Sequence, residues 1–344
     1  VGFSVAGSSA PDGMGRHCLL FLAALALFFA LGVWLRDLHR VRAMRWPMAF
    51  AALGFLALNL LLSETIWGAK NWLSIAGQTL QPSEFVKIAY VYAGAATLDR
   101  LFRRRNLILF IAFSAVCVGA LALMGDFGTA LVFFVCFLVI SFMRSGSFAT
   151  LFLAIGGAAL AVMLVLTVKP YVAQRFATWG HAWEDPLNTG FQQVRTMSAT
   201  AAGGLFGRGA GAGWLKNIFA ANTDMVFGVV CEELGLIVAL CCVLSLLLLA
   251  VFSVRSAAAG RSSYYVIASC ATLTIFMAQL ALNVFGSLDL LPFTGVTFPF
   301  VSKGGSSLIS CWGMLAYIKA GDTRSGGSFA LRTSFENARR GKKK

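Results

Sequence analysis

The feature that most limits what this chain can become is the recurrence of apolar stretches long enough to cross a bilayer as helices. They run over 18–34, 46–63, 83–98, 106–123, 127–143, 148–168, 225–252, 264–286 and 304–319. A helix rising ~1.5 Å per residue needs about 20 residues to cross ~30 Å of hydrocarbon. The run 106–143 carries Asp126 as its one charge and is long enough for two crossings. Only 12% of the residues are charged, against about a quarter in soluble domains. The expected fold is therefore an all-α polytopic membrane protein with nine spans here, because hydrocarbon leaves backbone groups no partners outside a helix.

The formal charge of +14 lies largely in short loops and the C-terminal tail. That is the pattern of membrane topology and not of a nucleic-acid footprint, so no nucleic acid is expected as partner. The basic loops "RDLHRVRAMR" (36–45), "DRLFRRR" (99–105), Arg144 and "RSAAAGR" (255–261) follow spans one, three, five and seven. The tail ending "ARRGKKK" follows span nine. Placing all of these in the cytoplasm puts 64–82, the long segment 169–224 and 287–303 outside, together with the N-terminus. An outer N-terminus beginning at Val1 with no leader implies an earlier segment, one further span. Residues 1–320 read as a single transmembrane domain and 321–344 as a disordered basic tail against anionic lipid. The eight cysteines show no Cys-x-x-Cys spacing, which argues for neither a disulfide framework nor a zinc site.

Ionisable residues within spans are costly and usually functional. Glu84 and Lys87 lie three apart, on one face of span three. Asp126 starts span five. Asp224 starts span seven, with Glu232 and Glu233 two to three turns further on, and Lys303 starts span nine. The topology set by the loops places all of these near one membrane face, as if lining the outward end of a polar cavity. Each has a structural alternative. Glu84, Lys87 and Asp126 could be an ion-pair network that fixes helix register. Glu232 and Glu233 point in different directions, so one could serve packing or capping. In "NTD" (222–224) Asp224 could cap a helix or act as a base. The glycines of "AAGGLFGRGAGAG" could wrap a diphosphate, with Arg195, Arg208 and Lys216 neutralising it, or form a re-entrant turn.

Five stretches together carry a resemblance. They are "GAKNWLSIAGQTLQPSEFVK" (68–87), "GDFGTALVFF" (125–134), "DPLNTGFQQVRTMSATAAGGLFGRGAG" (185–211), "NTDMVFGVVCEELG" (222–235) and "LPFTGVTFPFVSKGGSSL" (291–308). In order and spacing they resemble the SEDS family of bacterial membrane proteins, to which RodA, FtsW and SpoVE belong. The resemblance covers the chain from about residue 65 to the last span. It implies a SEDS-type bundle of ten helices with both ends in the cytoplasm, the first being absent here, and a large extracytoplasmic loop between spans six and seven. It implies a peptidoglycan glycosyltransferase that polymerises lipid II at the outer face of the cytoplasmic membrane. Such an enzyme serves elongation, division or sporulation and works with a class B penicillin-binding protein. The family's catalytic aspartate falls on Asp224, its charged network on Glu84, Lys87 and Asp126, and its outer-loop glutamine on Gln192. Departures from the pattern are Lys70 and Asn71 in place of paired arginines, Lys303 in place of a tyrosine and Met225 in place of a phenylalanine.

On this reading Asp224 is the general base for an attacking sugar hydroxyl, and undecaprenyl diphosphate leaves. Lys87, Gln192, Arg195, Arg208 and Lys303 are the candidate contacts for substrate and diphosphate, and Glu84, Asp126, Glu232 and Glu233 the supporting network. A divalent cation, Mg or Mn, could share the load, although no ligand cluster in the sequence demands one. The competing functions are a lipid II flippase, which needs polar groups through the whole membrane depth, and a non-catalytic scaffold that recruits a penicillin-binding protein.

Overall fold

The computed structural model describes residues 1–9, 13–63, 69–75, 78–98, 104–168, 170–258 and 262–322. The basic stretches 99–103 and 259–261, the start of loop 64–82 and the tail from 323 lie outside the described residues. A short helix α1 (Gly2–Ser9) precedes α2 (Met14–Trp34), α3 (Leu38–Ala43) and α4 (Arg45–Leu62). A hairpin of β1 (Leu73–Ile75) and β2 (Gln78–Leu80) follows, antiparallel with Ser74 opposite Thr79. Then come α5 (Pro82–Leu98), α6 (Arg104–Met124), α7 (Phe127–Ser145), α8 (Phe148–Val168) and α9 (Pro170–Thr178). The chain continues through α10 (Phe191–Gly203), α11 (Val226–Leu234), α12 (Leu236–Ala258), α13 (Ser263–Ser287) and α14 (Gly305–Gly321). This is a helical membrane protein, and the all-α expectation needs one amendment, the hairpin.

Eight of the nine apolar stretches coincide with single helices to within a few residues. The ninth, 225–252, does not. It breaks at Gly235, whose φ of 88° turns the chain. A Cβ there would stand 2.3 Å from the Leu205 carbonyl oxygen, so only glycine admits that approach. The amides of Leu236 and Ile237 bond across the break to the carbonyls of Gly204 and Leu205. α12 has 23 residues and is long and apolar enough to cross a membrane alone, as are α2, α4, α6, α7 and α13. The nine-residue α11 packs instead on α10 and the glycine-rich loop.

Burial separates the centre of the bundle from its lipid-facing rim. The apolar window of α13 is 67% buried, whereas those of α2, α4 and α12 are 11%, 17% and 17% buried. Helix α5 is covered along nearly its whole length. Buried tyrosine hydroxyls there find partners, as they must where water is absent. Tyr90 pairs with Ser114 at 2.7 Å, Tyr92 donates to the Val41 carbonyl, and Tyr317 donates to the Ile88 carbonyl.

These contacts also fix direction. Ser310 donates to the Glu84 carbonyl and Tyr317 to that of Ile88, so α5 and α14 run parallel. Tyr265 donates to the carbonyl of Leu35, which places the start of α13 beside the end of α2. One end of the bundle therefore gathers the basic residues around α3, Arg36, Arg40, Arg42 and Arg45, with Lys319. The opposite end gathers the N-termini of α5, α7 and α14.

Candidate functional site

At that second end lies a polar cleft of about 430 Å³, open to solvent on one side. Asn71 and Trp72 before β1, Gln81 before α5, Thr223 and Asp224, Gly295 and Thr297, and Gly304, Ser306 and Ser307 line it. Asp224 is the only titratable side chain among them. It does not cap a helix: Met225 occupies the N-cap of α11 and supplies no side-chain bond. The Asp224 amide closes a tight turn onto the Ala220 carbonyl at 2.8 Å, and Thr223 Oγ1 donates to the same oxygen. Ala220 itself has φ 60°, a conformation rare for alanine. Desolvation by the cleft walls pushes the Asp224 carboxyl up to about 7; the Thr223 hydroxyl and the charge of Arg175 pull it back, and Asp126 adds to the rise.

The remaining predicted residues divide into three groups. Asp126 reaches the cleft edge: one oxygen caps α7 by accepting the Thr129 amide at 3.1 Å, and the other accepts from Gln81 Nε2 at 3.3 Å. Lys303 adjoins the cleft through its backbone, its amide donating to the Asn222 carbonyl at 2.8 Å. Glu84 and Lys87 sit about a turn deeper and form a sealed pair at 2.7 Å, their side chains 3% and 1% exposed. Lys87 does not line the cleft, so contact with a diphosphate would require this pair to open.

Glu232 and Glu233 lie elsewhere, which corrects the expectation that they line the polar cavity. The Glu232 carboxylate accepts the amides of Trp214 and Leu215, both at 3.0 Å, and stands 3.7 Å from Arg208. Glu233 accepts the Gly211 amide at 3.0 Å and the Ser8 hydroxyl of α1. Their backbone carbonyls take the amides of Arg208 and Gly209. These glycine-loop amides therefore wrap two glutamates, where the sequence also allowed a diphosphate. Arg208 is paired to that structure. Arg195 is exposed on α10 and lies over the rings of Phe191 and Trp214, 5.3 and 5.9 Å from their centroids. Gln192, partly buried, lies in the first turn of α10, and its carbonyl accepts from Thr196.

Several residues escaped the sequence reading. Arg175 on α9 donates to the Phe293 carbonyl at 3.4 Å, above the loop that carries Gly295. Gln279 and Asn283, one turn apart in α13, reach under the cleft: Gln279 donates to Thr297, which in turn pairs with Ser307. Uncharged polar residues inside an apolar span were the available signal for the last two. No comparable signal marked Arg175.

The architecture and the site together define a class: a helical integral membrane protein whose desolvated carboxylate opens at one end of the bundle. Residues 7–323 match the FtsW/RodA/SpoVE model, described as cell cycle protein, and the chain belongs to that family. The peptidoglycan glycosyltransferase RodA of Mycobacterium tuberculosis is 28% identical over 331 residues, covering 91% of this chain and 71% of that one. Stage V sporulation protein E of Bacillus subtilis is 30% identical over 311 residues, 85% of this chain and 82% of that protein. The fold superposes with TM-score 0.75 and 28% identity on a chain of a peptidoglycan synthase complex, covering 94% of both; that complex was solved to show how polymerization and crosslinking are coordinated.

Proposed function

We propose that the protein is a peptidoglycan glycosyltransferase that polymerises lipid II, with Asp224 as general base. The observation that carries this is a lone carboxylate, raised to about 7, on the wall of an open polar cleft in a membrane protein of this family. A base near neutrality accepts a proton best when its own pKa lies close to the working pH. Asp224 would take the proton of the acceptor sugar's hydroxyl as that oxygen bonds to the donor's anomeric carbon. The bond from that carbon to the diphosphate breaks, and undecaprenyl diphosphate departs with the electron pair. Arg175, whose charge acts on Asp224, and Lys303, whose backbone adjoins the cleft, would meet the growing negative charge. Arg195, Arg208 and Gln192 would act further along the outer segment 169–224 on the sugar–peptide chain, and Lys87 would support the cleft from beneath.

Among the described residues no group of three His, Cys, Asp or Glu side chains could hold a metal ion. A Mg or Mn ion at this cleft would therefore be held mainly by the substrate's own diphosphate. The basic end of the bundle supports a cytoplasmic assignment for loop 36–45 and the C-terminus; on that assignment the cleft would open at the outer face of the cytoplasmic membrane, within reach of lipid-anchored substrates. A class B penicillin-binding protein would crosslink the product, in keeping with the complex whose chain this fold matches.

The test is polymer formation by the purified protein from lipid II, followed on a gel. Asp224→Asn is expected to abolish polymer while leaving the protein folded. Undiminished polymerisation by that variant would overturn the assignment of the base. Transfer of lipid II across vesicles without any new glycosidic bond would replace the enzyme by a flippase.

A further inference from the structure

Asp224 is held by its backbone, through three consecutive carbonyls that α11 leaves without partners. The Asn222 carbonyl accepts the Lys303 amide at 2.8 Å. The Thr223 carbonyl accepts the Ser302 hydroxyl at 2.7 Å. The Asp224 carbonyl accepts Asn283 Nδ2 at 2.9 Å, and the same nitrogen donates to the Val296 carbonyl at 2.8 Å. Two carbonyls facing one amide group require its nitrogen end, with its two hydrogens, to point at them. Ser302 is itself fixed by accepting the Phe298 amide at 2.9 Å. The two side chains that donate are themselves buried: Asn283 is 2% exposed and Ser302 is 4% exposed. Gly295 completes the arrangement. Its φ is 68°, and a Cβ there would come within 3.0 Å of Asp224 Oδ2.

We propose that Asn283 and Ser302 are positioning residues for proton transfer, clamping the Asp224 turn so that the carboxylate faces the cleft with its oxygens available to substrate. The inference rests on the glycosyltransferase reading of the cleft. A clamp on the main chain is suited to this task. A base pinned only through its carboxylate would have its lone pairs occupied, whereas one pinned through three carbonyls keeps those that the Thr223 hydroxyl does not face. Bonds from two other elements, α13 and the 298–303 loop, hold three successive residues of the turn. Small displacements of a reacting group are costly: about 1 Å can lower a rate by ~100-fold.

The experiment compares Asn283→Leu, similar in volume but with no donor, with Ser302→Ala and Ser302→Thr, which delete and keep the hydroxyl. Lipid II is titrated and rates are normalised to folded protein measured by thermal melting. Asn283→Leu is expected to lower kcat by ~tenfold or more, with KM within about threefold of wild type; Ser302→Ala lowers kcat by a few-fold, and Ser302→Thr restores it. In parallel, the Asp224 carboxyl stretch, assigned with Asp224→Asn, is titrated by infrared difference spectroscopy. Its midpoint is expected to move in Asn283→Leu and to hold in Ser302→Thr, with Arg175 and Asp126, the charges acting on it, left unaltered. Wild-type kcat per folded molecule in both deletion variants, together with an unmoved midpoint, overturns the clamp. Should Asn283→Leu fail to fold, Ser302→Ala decides by the same criteria. The two readings fail separately: a wild-type protein that makes no polymer sinks the glycosyltransferase, while the infrared midpoint still judges the clamp.

Discussion

The desolvation of Asp224 makes a quantitative demand on the pH profile. With a pKa of about 7, the carboxylate fraction is about 0.09 at pH 6 and about 0.9 at pH 8, so a rate limited by this base rises ~tenfold across the interval. An ordinary aspartate near ~3.9 would change by less than about 1% over the same range. The direction follows from the cause. Burial favours the protonated form, which is no base, so activity is lost as pH falls through 7. Arg175 works against that burial. Arg175→Gln removes a charge that favours the carboxylate, and the midpoint should move to higher pH. Asp126→Asn removes a repelling charge and should move it lower. The assay is the initial rate of polymer formation at saturating lipid II between pH 5.5 and 8.5, at constant ionic strength and corrected for folded protein. A flat profile would refute the desolvated base. A midpoint unmoved, or lowered, in Arg175→Gln would refute the electrostatic role of that arginine.

Three further outcomes are expected. Glu232→Ala strands the buried amides of Trp214 and Leu215 and should destabilise the protein by about 2–4 kcal/mol; Glu232→Gln, which keeps an acceptor oxygen, should cost less, as thermal melting will show. Lys87→Met alone leaves Glu84 charged and buried, a loss of ~3–5 kcal/mol, whereas Glu84→Leu with Lys87→Met should recover most of it; polymerase activity in the folded double variant would establish that Lys87 binds no diphosphate. Cysteines placed at exposed Asn217 and at His39 should label oppositely in intact cells, the first at once and the second only after permeabilisation. The reverse order would invert the membrane assignment of the cleft.

Much of this architecture was legible because hydrocarbon imposes it. The apolar runs could only be helices, and the gathering of Asp126, Asp224 and Lys303 at one end followed from counting charges in the loops between them. What escaped depended on contacts between segments distant in sequence. Nothing in "VVCEELGLIVAL" announces that Gly235 turns the chain, since the run stays apolar; the break exists because the 204–207 loop approaches within bonding distance. Glu232 and Glu233 read as cavity residues because their partners are main-chain amides more than fifteen residues away, and amides have no sequence signature. Arg175 carries no signal in the sequence, because its place depends on α9 setting it against the carbonyl of Phe293. Asn283 was visible as a polar residue in a span, but its task belongs to the loop it holds.

The five carboxylates singled out by the sequence show which group is left for chemistry. Taking a charge out of water is tolerated when something nearby replaces the hydration. Glu84 has the Lys87 ammonium. Asp126 has the Thr129 amide and Gln81. Glu232 has two amides with Arg208 nearby, and Glu233 has an amide and a hydroxyl. Asp224 is compensated chiefly by the hydroxyl of Thr223 and the field of Arg175, which do not offset its desolvation. In four of the five the carboxylate is thus already engaged by partners that the fold itself supplies. At Asp224 the fold supplies position in place of compensation, and a proton delivered by substrate relieves an unfavourable charge. On the proposed reading, that asymmetry, more than its place in a motif, equips Asp224 to receive one.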